Sequence, residues 1–478
     1  MKRISATTGS DYQGNYDPDG YDRLSFSAAV PAFMDGTDSP RAYLERCLET
    51  LHAREPNVRA FAFVNEEGAR RAADESTARY KAGRPLSLVD GCPMGLKDTL
   101  ETIDMPMQQN SPLFQGWTAN RDAACVWALR RQGAVMLGKT QVPEFAMGKS
   151  PPTRNPFDLR RTAGGSSSGS GASVGARMVP VSIGNQTMGS LIRPASFNAN
   201  YGYKPSWGAL NIGGMHPIAP SQDHIGPMAG TLADMWLVAE RISAVAGGHN
   251  GHPGLAGGPA LPAASKPARL AVLKTRGWEQ IDEATRDAFE TFLRQLGDAG
   301  VDLADQSTAP MIADLEAMLR DSDDISTDIV MYEVRWPVLA YIEAHGRAMV
   351  GDAVYARAKR GEEMTPDDYR SAIERRAAIR RKVVEIAETA DGFVTLASSG
   401  PAPVDRPDLG GGAGDTPNAH LETGSRSFLS PWSMIGGPSL ALPWLAVDGM
   451  PLGVQLMGAP DTDLPLVGIA RWIDEALT

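Results

Sequence analysis

The stretch that most constrains this chain covers residues 164–194. It reads G-G-S-S-S-G-S-G-A-S-V-G-A-R-M-V-P-V-S-I-G-N-Q-T-M-G-S-L-I-R-P. Gly/Ser runs of this kind are flexible linkers more often than sites, and the motifs linked to this one shift the reading to catalysis. The apolar run Val179 to Ile183 reads as a strand that ends in a glycine-containing turn. Among the serines of the stretch, Ser166 and Ser190, 24 positions apart, each stand directly behind a glycine, as Ser170 also does, and Lys97 sits upstream in the run G-C-P-M-G-L-K-D. Gly189 allows a tight turn before Ser190 that aims successive N–H groups inward, which builds an oxyanion hole from backbone alone. Gly164 and Gly165 permit an unusual backbone ahead of Ser166. Lys97, Ser166 and Ser190 read as one catalytic unit.

A serine hydroxyl needs a base in contact before it becomes a useful nucleophile. Histidine is the usual one. The seven here are His52, His216, His224, His249, His252, His345 and His420, none of them in the glycine-framed stretch. No G-x-S-x-G elbow surrounds Ser190 either. A histidine brought in by folding stays open at this point. The other base is a neutral lysine, since burial disfavours the ammonium form. Met94 and Leu96 give Lys97 the apolar neighbours for that.

Strand and helix signals alternate along most of the chain, so the class is α/β. Helices are expected over 39–54, 67–80, 121–132, 282–296 and through most of 309–390. Strands are expected at 61–64, 88–96, 134–137, 179–183, 269–273, 439–443 and 452–457, with a closing helix near 466–477. Within the serine stretch, 164–171 reads as loop, 172–177 as a short helix and 184–190 as the turn delivering Ser190. Residues 1–22 form a polar arm and 23–478 one large domain. The Gly/Pro-rich stretches 247–267 and 400–426 read as loops on that domain, because strand signals flank each. The second is a surface loop.

The 478 residues are 42% hydrophobic, ample for a large core. A net charge of −11 argues against a general nucleic-acid or anionic-membrane surface. Cys47, Cys92 and Cys125 make no C-x-x-C motif and read as core residues of a reduced, cytoplasmic protein. The first twenty residues lack the apolar region of a signal peptide, and no apolar run reaches transmembrane length.

At the serine and lysine motifs the chain resembles the amidase signature family, in a branch with a Q-T-x-G-S-x-I-R-P run. The lysine motif is G-C-P-M-G-L-K-D, the Gly/Ser motif G-G-S-S-S-G-S-G and the nucleophile motif Q-T-M-G-S-L-I-R-P-A. Gly202-Tyr203-Lys204-Pro205, Asp223 to Ala229 and Pro451 to Leu456 also match. The resemblance implies a central mixed sheet under helices on both faces. It implies Ser190 as nucleophile, Ser166 as bridging serine after a cis Gly165–Ser166 bond, and Lys97 as base. Thr187, Met188, Gly189 and Ser190 would form the oxyanion hole. The expected function is cleavage of a small or mid-sized, largely apolar amide, anilide or carbamate, as in an aryl acylamidase or urethanase. No cofactor and no metal are expected, nor any nucleic-acid or membrane partner, and the chain would be a monomer or homodimer. Two alternatives stand beside this: the amidase subunit of a tRNA-dependent amidotransferase, and an inactive binding or scaffold member.

The family's more common nucleophile run has glycine where this chain has Met188, which is either a pocket wall or a packing residue. Asp98 either orients Lys97 or, the favoured reading, is a structural residue ending a strand. Asp223 reads as a hydrogen-bonder near the site, and Arg193 either pairs with a buried carboxylate, again the favoured reading, or meets a substrate. Residues 133–140, G-A-V-M-L-G-K-T, fit the phosphate-binding pattern G-x-x-x-x-G-K-[ST]. A phosphate loop runs strand, loop, helix. Here the four middle residues are themselves an apolar strand, so no nucleotide site is expected.

Overall fold

The computed structural model describes residues 3–7, 14–249, 251–404 and 423–477. Its strands, in chain order, are β1 (Ile4–Ala6), β2 (Phe61–Val64), β3 (Pro93–Lys97), β4 (Val135–Thr140), β5 (Arg154–Asn155), β6 (Asp158–Thr162) and β7 (Val181–Gln186). There follow β8 (Tyr201–Lys204), β9 (His224–Ala229), β10 (Arg269–Val272), β11 (Asp302–Ala304), β12 (Gly392–Leu396), β13 (Ser439–Val447) and β14 (Met450–Met457). Among the described residues β5 and β6 pair by themselves, and the rest make one twelve-stranded sheet. Its order is β11-β10-β12-β14-β13-β8-β9-β7-β3-β4-β2, with β1 beside β13. The sheet is mixed. β3 runs parallel to β4 and β7, while β7–β9 and β13–β14 are antiparallel. Every residue of β3, β4, β7, β13 and β14 is buried, as in a sheet covered on both faces. The α/β class with a central mixed sheet is therefore as expected.

Local signals set the helices. Pro40–Val58 starts where Ser39 Oγ accepts the Ala42 N–H at 3.2 Å and Pro40 takes the first helical position. It outruns the expected end at residue 54, and Glu55 in its last turn accepts the N–H groups of Ala60 and Phe61 at 2.9 and 2.8 Å. Pro366–Ala387 opens on a full capping box between Thr365 and Asp368. The described residues of 247–267 hold no helix or strand, but Leu255 and Leu261 pack on the main core. Of the expected surface loop at 400–426, residues 405–422 lie outside the described residues. No helix among the described residues is long and apolar enough to cross a membrane.

Two local expectations need correction. Helix α1 is Ser168–Gly175, so half of the expected loop is helical, and all eight residues are buried. Close backbone approach explains why only small side chains serve there. A Cβ at Gly169 would stand 2.0 Å from the Ala60 carbonyl oxygen, and one at Gly175 2.6 Å from that of Asn198. Tight packing has overridden the low helix propensity of glycine and serine. The second correction is the strand expected at 134–137, which runs on through Thr140. Lys139 thereby lies inside β4 without exposure, donates to the Leu100 carbonyl at 2.6 Å and sits 3.3 Å from Asp98 Oδ1. The phosphate-loop look-alike is a core strand.

Candidate active site

β3 and β7 are parallel neighbours, with Leu96 opposite Ile183, so both strands end on the same side of the sheet. Chemistry in α/β folds sits beyond such strand ends. β3 ends at Lys97 and β7 at Gln186. Lys97 has no exposed surface, and its Nζ lies 2.8 Å from Ser166 Oγ. The peptide bond before Ser166 is cis. Lys97 also donates to both oxygens of Asn185, the backbone carbonyl at 3.4 Å and the side-chain Oδ1. A neutral amine has two N–H donors and one lone pair. With the donors directed at Asn185, the lone pair is left for the Ser166 hydroxyl. Burial pushes the Lys97 amine well below its ordinary range, against the opposing pull of Asp223. No carboxylate lies within ion-pair distance of it among the described residues.

The turn after β7 is held by its carbonyls. Thr187 O accepts from Gln222 Nε2 at 2.8 Å, and Met188 O accepts from Ser433 Oγ at 3.0 Å. Gly189 O accepts the Arg193 N–H at 3.2 Å, and Ser190 O the Ser167 N–H at 3.0 Å. Gln186 completes the frame. Its Oε1 accepts the N–H groups of Leu191 and Ile192, each at 2.9 Å, at the start of helix α2 (Ile192–Phe197). All four carbonyls from 187 to 190 are thus engaged, while the four N–H groups donate to no acceptor among the described residues. These residues line a cavity with Ser166, and unspent N–H groups at its wall suit a developing oxyanion. Asp223 supports the turn from behind, accepting from Thr187 Oγ1 at 2.6 Å and from the N–H groups of Ile218 and Ala219. Burial raises its carboxyl to about 6.

The fold therefore brings Lys97 and Ser166 into contact and sets Ser190 on the same cavity. Ser190 Oγ bonds to no group among the described residues, and the two serine segments are joined by the Ser167–Ser190 backbone bond. Catalytic hydrogen bonds often close only when substrate binds. The cavity measures about 110 Å³ and opens beside a wider groove of about 880 Å³, with Ser150 common to both. Its apolar wall includes Met147, Ile218, Val330 and Met331, the last two from helix α3 (Ser322–His345). Met188 both lines the cavity and packs with that cluster, so its two readings coexist. No histidine lines it among the described residues.

Arg193 departs from expectation. It meets no carboxylate among the described residues. Its two terminal nitrogens donate to Gly165 O and Gly424 O, each at 2.6 Å. Burial and the nearby Arg426 pull it down to about 9. Asp98 is structural, as expected, accepting the N–H groups of Gln108 and Gln109 and facing Lys139. Asn185, Gln222 and Ser433 were not singled out from sequence, nor were Arg357, on helix α4 (Asp352–Glu363), and Arg426, just before helix α5 (Ser430–Ile435). Asn185 alone offered a signal, as an amide in a strand that is otherwise apolar or small.

Known proteins share this arrangement of chain. A protein from Salinispora arenicola, named as a subunit of Glutamyl-tRNA(Gln) amidotransferase, is 30% identical over 488 residues, spanning 95% of this chain and 98% of that one. A solved structure described as a crystal structure of amidase superposes with a TM-score of 0.80 at 27% identity, over 95% of this chain and all of that one (100%). A 6-aminohexanoate cyclic dimer hydrolase complexed with substrate reaches 0.80 at 24% identity, over 95% and 97%, a likeness of fold alone. The family described as Amidase matches residues 42–467, from the first long helix to the last. Over that length, the chain belongs to the amidase signature family.

Proposed function

We propose that this chain is an amidohydrolase that cleaves the C–N bond of a small or mid-sized amide, anilide or carbamate through an acyl-enzyme on Ser190. Neutral Lys97 takes the Ser166 proton as Ser166 takes that of Ser190. Ser190 Oγ attacks the carbonyl carbon, and the N–H groups of Thr187, Met188, Gly189 and Ser190 hold the oxyanion. The tetrahedral intermediate collapses, the C–N bond breaks, and Ser166 protonates the departing amine. Water then attacks the acyl-enzyme by the same relay. The observation that carries this reading is a buried lysine 2.8 Å from a serine with no carboxylate beside it, among the described residues, to hold it charged. The apolar wall supports a largely apolar substrate body. The working unit is residues 23–478, acting in the cytoplasm as a monomer or homodimer.

The test is amine release from an acyl anilide, a primary aliphatic amide and an aryl carbamate, by wild type and Ser190→Ala side by side. Release by wild type alone is the expected result, and equal release by both proteins sinks the reading. A second reading is favoured by the names of the curated relatives: the amidase subunit of a tRNA-dependent amidotransferase. It predicts glutamine hydrolysis only with a partner chain present. An inactive scaffold member would release nothing from any substrate.

A further inference from the structure

Three arginines line the cavity that holds Ser166 and Ser190: Arg193, Arg357 and Arg426. No aspartate or glutamate is among the described lining residues. The three guanidiniums differ in how they are occupied. Arg193 is spent as a clamp, with both terminal nitrogens on backbone carbonyls. Arg426 donates to Thr327 Oγ1 at 2.9 Å and touches Met188 Sδ at 3.5 Å, and its nearest carboxylate, Asp323 Oδ1, is 3.8 Å away. The other oxygen of Asp323 is taken by Ser427 Oγ at 3.0 Å. Arg357 has a single partner among the described residues, the Ala353 carbonyl of its own helix at 3.0 Å. A guanidinium carries five N–H donors, so most of Arg357 is unused.

This is an unusual place to leave cations. Arg426 repels both Arg193 and Arg357, and all three are shifted down from the ordinary arginine range, chiefly by burial. A structural arginine elsewhere in the chain looks different: Arg79 holds buried Asp90 with two bonds, at 2.8 and 2.6 Å. Arg426 has Asp323 as a loose counter-charge, and Arg357 has none among the described residues. Like charges gathered with so little counter-charge in a cavity destabilise the free protein and favour whatever anion enters. The planar fork of arginine suits a carboxylate in particular.

We infer that Arg357 and Arg426 form an anion subsite beside Ser190, so that the amide cleaved carries a free carboxylate as well as an apolar body. The inference rests on the amidohydrolase reading and adds the substrate's charge. The acid lies on either side of the scissile bond, on the acyl part or on the amine part, and the test has an arm for each.

Glutaryl-4-nitroanilide carries the acid on the acyl side and 4-(butanoylamino)benzoate on the amine side. Pentanoyl-4-nitroanilide and N-butanoyl-4-toluidine are their neutral counterparts. One acid is expected to exceed its counterpart about 30-fold in kcat/KM, mostly through KM, the size of a charge-assisted pair. Arg357→Gln and Arg426→Gln should each lower that ratio about tenfold, with Arg357→Lys restoring part of it. Glutarate should raise the melting temperature of Ser190→Ala protein, its neutral diamide should not, and Arg357→Gln should remove the effect. Cleavage indifferent to charge, with no glutarate effect, overturns the anion subsite and leaves the hydrolase reading standing. No cleavage of any amide, with glutarate still stabilising through Arg357, overturns the hydrolase reading and keeps the subsite.

Discussion

Lys97 and Lys139 lie on adjacent strands, within one residue of the same level, and both are fully buried. Burial lowers the pKa of each. Their neighbours then separate them. Lys139 has Asp98 at 3.3 Å, which works against that lowering and makes it half of an internal ion pair. Lys97 has a serine and an amide in that place, and its pKa falls well below the ordinary range. Among the described residues one carboxylate, present beside one lysine and absent beside the other, divides a structural cation from a candidate base. The difference is local. It lies in what a neighbouring loop supplies and owes nothing to depth in the fold.

The largest test of this division is the nucleophile it would serve. Ser190→Ala should lower turnover at least about 10⁴-fold while leaving circular dichroism and melting unchanged. Lys97→Ala should cost about 10²- to 10⁴-fold in kcat/KM. Lys97→Arg should fail to restore it, because a guanidinium stays charged. Near-normal rates in either would remove Lys97 from the relay. Lys139→Met should behave in the opposite way. Leaving Asp98 buried and unpaired costs about 3–5 kcal/mol of stability by urea unfolding, with kcat per folded molecule within a few-fold of wild type. A folded but inactive Lys139→Met protein would break the comparison.

The titrations sharpen it further. Activity should rise with pH through an inflection well below the free lysine range, as Lys97 loses its proton and becomes a base. Asp223 provides the smaller pH effect. Its carboxyl is raised from 3.8 to about 6, so the stability tied to its protonated form is full below about pH 4 and lost as pH rises through about 6. Urea unfolding at pH 4 and pH 7 should show wild type losing up to about 3 kcal/mol relative to Asp223→Asn, from roughly two units at 1.36 kcal/mol each. A relay of lysine and serines also predicts that a chelator leaves the rate unchanged.

Lys97, Ser166 and Ser190 were legible as candidates because a lysine ends an apolar strand and serines follow glycines, and the resemblance of these motifs to the amidase signature family chose among the serines. Their partners were not. Gln222 and Ser433 are ordinary polar residues until folding turns them onto the carbonyls of Thr187 and Met188. Arg357, on a helix rich in charge, reads as a solvated face and reaches the cavity only through the packing of α4 against α3. Arg193 was misjudged because a buried arginine suggests a carboxylate, whereas carbonyls of two loops share it. Element types followed from periodicity, and element ends did not. α1 shows why: close contact with the backbone of Ala60 and Asn198 decides its extent, and no local signal reports that.

Strand β13 is served by two partners in succession. β8 pairs with Ser439 to Ala441, and beyond the irregularity at Leu442–Leu445 the N-terminal strand β1 takes over at Leu445 to Val447. The arm is then a seal as well as an appendage. Arg3 reaches Tyr201 at 3.1 Å, and the Asp448 N–H donates to Ala6 O at 3.0 Å. Trimming the first 22 residues would leave the far half of an apolar central strand without a neighbour on that side, and a bare strand edge of this kind recruits other chains. Removing the opening residues should therefore promote self-association, read by light scattering, although they lie far along the sequence from the chemistry.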